Sequence, residues 1–336
     1  MMARKGKIGG ASIIMDENVN FNCNENVIKL SIKNQQQINP FYFVTFFNSK
    51  YGYLQLDRIS TGNVQPWVSI FQIRKLKIIL LPQNFQSVIE DIVREAYKNN
   101  QQSQSVYHSA EQLLLKSLGL ENWQPKNEKT TVKKFSDYEK SGRLDAEYYQ
   151  PKYEELLKKL AKYNLQELDT IVTFKKSIEP GSECYQTEGV PFIRVSNVSK
   201  NGISETDIYL NGKDFDINNL MPRKDTILFS KDGSVGIAYK LDKDYRCITS
   251  GALLHLNIIN NDYLADYLTL VLNSVVVQLQ AERDASGAII QHWKPSEIEK
   301  VLIPKIDISI QKDIADKVQE SFRLRQESKE LLERAK

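Results

Sequence analysis

The side chains best placed to bind something in this 336-residue chain sit on glycine-bearing loops. Ser230-Lys231-Asp232-Gly233-Ser234-Val235-Gly236 follows the apolar run Ile227-Leu228-Phe229. It lacks the GxxxxGK[ST] spacing of a phosphate-binding P-loop. Two readings stand: a tight turn needing positive φ at Gly233, and a donor loop in which Lys231 and Ser234 reach a phosphate or a base edge. Both can hold at once. Ser286-Gly287-Ala288-Ile289-Ile290-Gln291-His292-Trp293 and Thr61-Gly62-Asn63-Val64-Gln65-Pro66-Trp67 form a second pair of loops. Each offers a glycine, then an amide, then an aromatic. Glutamine donates and accepts at once, as the major-groove edge of adenine requires. The alternative is that the loop packs a helix against a sheet, and this suits Trp67 and Trp293 better. Arg194, Ser196 and Asn197 close another apolar run, where arginine pairs with guanine and asparagine with adenine. Lys175 and Lys176 follow a further run, where lysines serve equally to guard a sheet edge.

Most enzymatic chemistry is missing. No HExxH, GxSxG or Walker pattern occurs, and the carboxylates are spread over helical faces. Cys23, Cys184 and Cys247 are far apart and odd in number, which argues against disulfides and structural zinc and for a reducing cytoplasm. His292 has no acidic or cysteine neighbour, so neither a metal nor a catalytic role is expected of it. Asn39-Pro40-Phe41-Tyr42 resembles the N/D-P-P-Y/F tetrapeptide of amino-group DNA methyltransferases. The second proline is absent, and a helix start with proline in its first turn is the better account. A net charge of +3 with 26% charged residues neither announces nor excludes a nucleic-acid partner, because local patches set the field. No apolar run of about 18 residues predicts a membrane span.

The elements that carry these loops repeat. Leu54, Gln55, Arg58 and Gly62 match Leu279, Gln280, Arg283 and Gly287 at an offset of 225. Asn48-Ser49, Ile73, Lys75, Ile78, Gln86 and Val93 match Asn273-Ser274, Ile298, Lys300, Ile303, Gln311 and Val318 at the same offset. Upstream, after a slip of one or two residues, residues 5–9 answer 232–236, and Asp16 answers Asp242. The second copy carries a preamble, residues 137–229, without a partner in the first. The chain therefore reads as one and a half units.

The spacing predicts a helix over 83–118, about 50 Å long, with a weak point at 99–105, and a shorter echo over 307–336 capped by Asp307 or Ser309. Their apolar stripes are expected to meet antiparallel. Around them the first copy reads as a helix over 40–56 and a strand over 77–81. The second reads as a helix over 144–160 interrupted at Pro151, short strands between 169 and 258, a helix over 263–279 capped by Asn260, Asn261 or Asp262, and a strand over 301–303.

Arg143-Leu144-Asp145-Ala146-Glu147-Tyr148-Tyr149 with Pro151 and Tyr153, Ile193-Arg194-Val195 with Gly202-Ile203, Ile227 to Gly236, and Val301-Leu302-Ile303-Pro304 with Gln311 resemble, in this order, type I restriction–modification specificity (S) subunits. The resemblance implies an α+β fold with two pseudo-symmetric target recognition domains, the first partial, joined by long antiparallel coiled-coil spacer helices. It implies the division 1–82 (back part of a first recognition domain), 83–118 (spacer helix), 119–136 (linker), 137–306 (second recognition domain) and 307–336 (C-terminal spacer helix). It also implies a cytoplasmic, non-catalytic chain that reads a split double-stranded DNA target and docks methyltransferase subunits, with a restriction and translocase subunit as an optional third partner. S-adenosylmethionine, ATP and magnesium would belong to the partners. The implied DNA contacts are Lys5, Lys7 and Gln65 in the first copy. In the second they are Lys175, Lys176, Arg194, Ser196, Asn197, Lys231, Asp232, Ser234, Ser286, Gln291, His292 and Lys294. The rival readings are a truncated scaffold that binds methyltransferase without defining a full target, and the recognition part of a single-chain restriction–methylation enzyme.

Overall fold

In the first half of the chain, Asn39 starts a helix as the sequence suggests. Its Oδ1 accepts the Phe41 N–H at 2.8 Å, and Pro40 takes the first helical position. The methyltransferase-like tetrapeptide is thus a helix cap. The computed structural model describes every residue except Lys7, 16–21, 63–64, Asn127, Lys129 and Ala288. Lys7, Asn63, Ala288 and the match of Asp16 to Asp242 lie outside the described residues. The chain divides into two units, Met1–Ser105 with Ser321–Lys336, and Val106–Glu320.

In the first unit the strand Met2–Ala3 pairs antiparallel with Val27–Ile28. The helix expected over 40–56 is two, Pro40–Asn48 and Lys50–Ile59. Ser49 turns extended between them and donates its hydroxyl to the Phe46 carbonyl at 2.6 Å. A Cβ on Gly52 would lie 2.4 Å from Phe47 Cα, so the corner closes only on glycine. Met2, Ile8, Tyr42, Phe46, Phe47, Leu56, Val68, Ile89 and Ala335 form the core. Residues 77–81 are not a strand: they run extended with no strand beside them among the described residues.

The long helix Gln83–Ser117 does not break at 99–105. Ser321 Oγ donates to the Ser103 carbonyl at 2.8 Å, and Ser328 Oγ to the Ala96 carbonyl at 2.7 Å. These two bonds make Gln83–Ser117 and Ile308–Ala335 antiparallel neighbours within this unit. A hydroxyl reaches a main-chain carbonyl across two helices only where both contact residues are small. Buried residues recur seven apart, at Ile89, Ala96 and Ser103 on one helix and at Ser321, Ser328 and Ala335 on the other. That is the repeat of a coiled-coil seam. Packing here outweighs the weak helix propensity of the polar interval.

The second unit contains two four-stranded sheets. One runs Ala238–Lys240, Ile227–Ser230, Leu253–Ile258, Val172–Lys176, all antiparallel. The other runs Ile248–Thr249, Val190–Ile193, Tyr209–Leu210, Tyr185–Gln186, with its first pair parallel. Leu302–Lys305 pairs with Asn164–Glu167. Pro151 starts the helix Pro151–Leu160 rather than interrupting a longer one, after a 3-10 turn at Ala146–Tyr149. The helix expected over 263–279 is Ala265–Leu272 and Val275–Asp284, divided at Ser274. None of Asn260, Asn261 and Asp262 caps it. Gly119, at φ 66°, ends the helix Gln83–Ser117. Asp307 caps the last helix, accepting the Ser309 N–H at 2.7 Å.

The offset of 225 reappears as hydrogen bonding. Gln86 accepts the Asn39 N–H at 2.8 Å and donates to Leu81 O at 2.8 Å and Gln37 O at 3.2 Å. Gln311 accepts the Leu264 N–H at 3.0 Å and donates to Ile306 O at 3.0 Å and Asp262 O at 2.9 Å. Gln311 therefore supplies the cap expected from 260–262. Tyr42 OH donates to Ile79 O at 2.8 Å, and Tyr267 OH to Pro304 O at 2.6 Å. Gln55 exchanges two bonds with Lys77, as Gln280 does with Leu302. Asn48 pairs with the Ala11 backbone, as Asn273 does with Ala238.

Candidate nucleic-acid interface

The two loops singled out in the second copy meet. Asp232 lies opposite His292, and Gly233 opposite Gln291, in an antiparallel pair. Gly233 has φ 75° and Gly287 φ 114°, and a Cβ on Gly287 would lie 2.1 Å from Ile290 O. Positive φ and close backbone approach leave only glycine at these corners. Ser286 exchanges backbone hydrogen bonds with His292 at 2.9 and 2.7 Å. Ser230 Oγ donates to the Ser234 carbonyl at 2.5 Å and tightens the first loop.

Within this hairpin the Asp232 carboxylate is shared. One oxygen lies 2.9 Å from His292 Nδ1, so His292 does have an acidic neighbour, brought from sixty residues away by strand pairing, and the other pairs with the Lys231 ammonium. The His292 side chain is 61% exposed and that of Lys231 13%. The imidazole thus faces solvent while the lysine stem is packed inside. Gln291, Ser234, Ile289 and Ile290 are exposed. Lys294 is exposed, with Nζ 3.6 Å from a Glu297 carboxylate oxygen. Trp293 is buried, its ring 5.8 Å from Phe229. It packs the loop against the sheet through Phe229.

Three consecutive residues tie other strand ends to this hairpin. Ser250 N–H donates to Ile193 O at 2.8 Å, Gly251 N–H to Ile178 O at 2.8 Å, and Ala252 O accepts the Lys231 N–H at 2.9 Å. The segments carrying Arg194, Lys176 and Lys231 are thereby anchored side by side. Two of the expected DNA contacts are otherwise engaged. Asn197 Oδ1 accepts the Arg194 N–H at 3.0 Å, and its Nδ2 donates to Glu205 O at 3.1 Å. One end of that amide caps its own 3-10 turn, Val195–Asn197, and the other ties the turn to Glu205. Lys175 Nζ is bound to the Asn219 carbonyl and to Asn219 Oδ1, the latter at 2.9 Å. Arg194 Nη2 stands 3.8 Å from Asp207, and Ser196 and Lys176 are exposed.

The first unit holds the same hairpin frame. Lys5 bridges Trp67, the Gly6 N–H donates to Pro66 O at 3.0 Å, and Thr61 exchanges backbone bonds with Trp67. This fixes the register that the offset of 225 predicts. Trp67 answers His292, Val68 answers Trp293, and Gln65 answers Ile290 rather than Gln291. Trp67 is accordingly 41% exposed and does not pack a helix against a sheet. Val68 N–H donates to Arg4 O as Trp293 N–H does to Lys231 O, both at 2.8 Å. Arg4 therefore takes the position of Lys231, which the slip in the upstream offset could have revealed. Lys5 and Gln65 are exposed.

Among the described residues, no group of three or more His, Cys, Asp and Glu is placed to hold a metal. Burial pushes the Cys247 thiol up to about 12. His255 is buried, bonded to Thr249 Oγ1 at 2.8 Å, and lowered to about 4, first by burial and then by Lys175. No helix is long and apolar enough to cross a membrane.

The family model for "Type I restriction modification DNA specificity domain" matches residues 158–334, just over half of the chain. The chain belongs to that family, the type I restriction–modification specificity subunits. Among solved structures it is similar to the type I restriction–modification S subunit from M. genitalium, at 16% identity and a TM-score of 0.43, covering 98% of this chain and 78% of that one. It is similar to the HsdS subunit from Thermoanaerobacter tengcongensis at 14% identity and a TM-score of 0.37, covering 90% and 70%. The type IIG restriction endonuclease BpuSI matches at 10% identity and a TM-score of 0.40, over 60% of this chain and 35% of that one. No curated protein matches.

Proposed function

We propose that this chain reads DNA sequence for a type I restriction–modification complex. The observation that carries the proposal is the family match over 158–334, which contains the paired loops at 232–233 and 291–292. Each unit is a target recognition domain, the two are related by pseudo-symmetry, and the first is partial. Each addresses one half of a split target, and the long helices, as coiled-coil spacers, fix the distance between half-sites. Lysine and arginine contacts to phosphate supply affinity and salt dependence, while side chains at base edges supply specificity. Methyltransferase subunits dock on the chain and carry the chemistry, with S-adenosylmethionine, and a restriction subunit adds ATP and magnesium. The chain itself catalyses nothing.

A second reading has a specific observation behind it. Residues 77–81 lack the strand that Asn164–Glu167 provides beside Leu302–Lys305. A chain with one finished recognition surface docks methyltransferase but defines only half of a target. One experiment separates the two: mapping methylated sites in cells expressing this chain with its methyltransferase. A two-part motif supports the first reading, and a single half-motif the second. Methylation that follows no sequence overturns both.

A further inference from the structure

The first unit repeats the second bond for bond yet leaves bare a face that the second keeps covered. In the second unit Ala146–Tyr149 and Pro151–Leu160 lie on the helix Val275–Asp284, and Asn164–Glu167 pairs along Leu302–Lys305. Beneath that cover Val276 is 0% and Leu279 6% exposed. Lys152 Nζ meets Glu282 Oε1 at 2.6 Å, and the Tyr148 ring lies 5.6 Å from the Arg283 guanidinium. At the corresponding places of the first unit, Tyr51 is 67% and Leu54 50% exposed. Asp57 and Arg58 stand exposed at the positions of Glu282 and Arg283. Residues 77–81 hold the backbone path of the covered strand. Gln55 is bonded to Lys77 and Tyr42 to Ile79, as in the second unit, while Ile79 and Leu80 face outward at 58% and 52% exposed.

We propose that this face of the first unit docks a polypeptide segment lying outside these 336 residues, a short amphipathic helix followed by a β-strand. The strand pairs antiparallel along residues 77–80, and the helix covers Tyr51 and Leu54. A lysine of the segment meets Asp57, and an aromatic ring lies on Arg58. The second unit supplies the template for each of these contacts, and the retained acid–base order at 57–58 gives the charge complement. Backbone pairing along an open edge supplies affinity, and apolar pockets with fixed charges supply selectivity. The inference rests on the internal repeat and stands whether or not the chain reads DNA.

The probe is a synthetic peptide of residues 143–170 of this chain, titrated into the intact protein by calorimetry. Saturable binding with one peptide per chain is expected. Leu54→Glu should weaken it more than tenfold, while Phe135→Glu, an exposed apolar position elsewhere, should leave it unchanged. Asp57→Lys should abolish binding, and a peptide carrying Lys152→Glu should restore it to that variant. Circular dichroism of each variant confirms that the chain remains folded. Absence of saturable binding overturns the proposal, as does binding indifferent to Leu54→Glu. A chain dimer that Leu54→Glu dissociates also overturns it, by giving the face to a second copy.

Discussion

Ser321 donates its hydroxyl to the main-chain carbonyl of Ser103 at 2.8 Å, so two helices meet with no side chain thicker than a hydroxymethyl group between them. Ser321→Leu puts three carbons into that seam where one oxygen stood. Overpacking at such a contact costs about 1–3 kcal/mol, whereas Ser321→Ala, which loses only the hydrogen bond, costs about 1 kcal/mol. Urea unfolding of the two variants checks the order. Leucine tolerated better than alanine would show that the helices do not pack this closely.

Gln86 and Gln311 each satisfy three backbone groups. Gln311→Ala strands the Leu264 N–H and two carbonyls, at a cost of about 3 kcal/mol. The loss should be local. Amide exchange should accelerate at Leu264 for Gln311→Ala and at Asn39 for Gln86→Ala. Equal acceleration at both amides in either variant would contradict separate anchoring.

On DNA, Lys231 and Gln291 should behave differently. Lys231→Ala should weaken binding to all duplexes and lower the salt slope by about 0.9. Gln291→Ala should relax one base position at a cost of about 1–3 kcal/mol. Asn197→Ala should leave base preference unchanged, because both ends of its amide are bonded to the Arg194 and Glu205 backbone. Competition gel shifts with randomised duplexes measure all three. A shift in base preference on Asn197→Ala would refute that assignment.

His255 makes the second unit sensitive to acid. Its folded-state value of about 4 lies below the ordinary 6.5, so the unfolded chain takes up the proton first. Stability is therefore full above about pH 7 and declines as the pH falls from 6.5 towards 4, by about 2 kcal/mol at pH 5. Denaturant titrations at pH 8 and pH 5 measure the loss. His255→Gln should remove that part of the slope, and an unchanged slope would assign it elsewhere.

The repeat was legible because its carriers are polar residues with backbone duties. Gln55, Gln86 and Asn48 sit where only an amide satisfies both a donor and an acceptor, and their counterparts at 280, 311 and 273 do the same. The glycine corners were legible for a similar reason. The exposed setting of Trp67 was not, since the residue at its offset is His292 and not the buried Trp293. Nor was the strand at 77–81, because a strand needs a neighbour and apolar pattern alone does not supply one. The unbroken helix across 99–105 was hidden because its stability comes from Ser321 and Ser328, more than two hundred residues away.

The hairpin frame has one more consequence. Gly6 and Gly233 hold φ 78° and 75°, Gly9 and Gly236 hold 91° and 82°, and Gly62 and Gly287 hold 99° and 114°. On this common mount one unit displays Lys5 beside Trp67, and the other Asp232 beside His292. The glycines hold the same backbone in both units, while the residues displayed on it differ. The mount is thus a socket whose contents can change sign, from ammonium to carboxylate, with the socket left as it was.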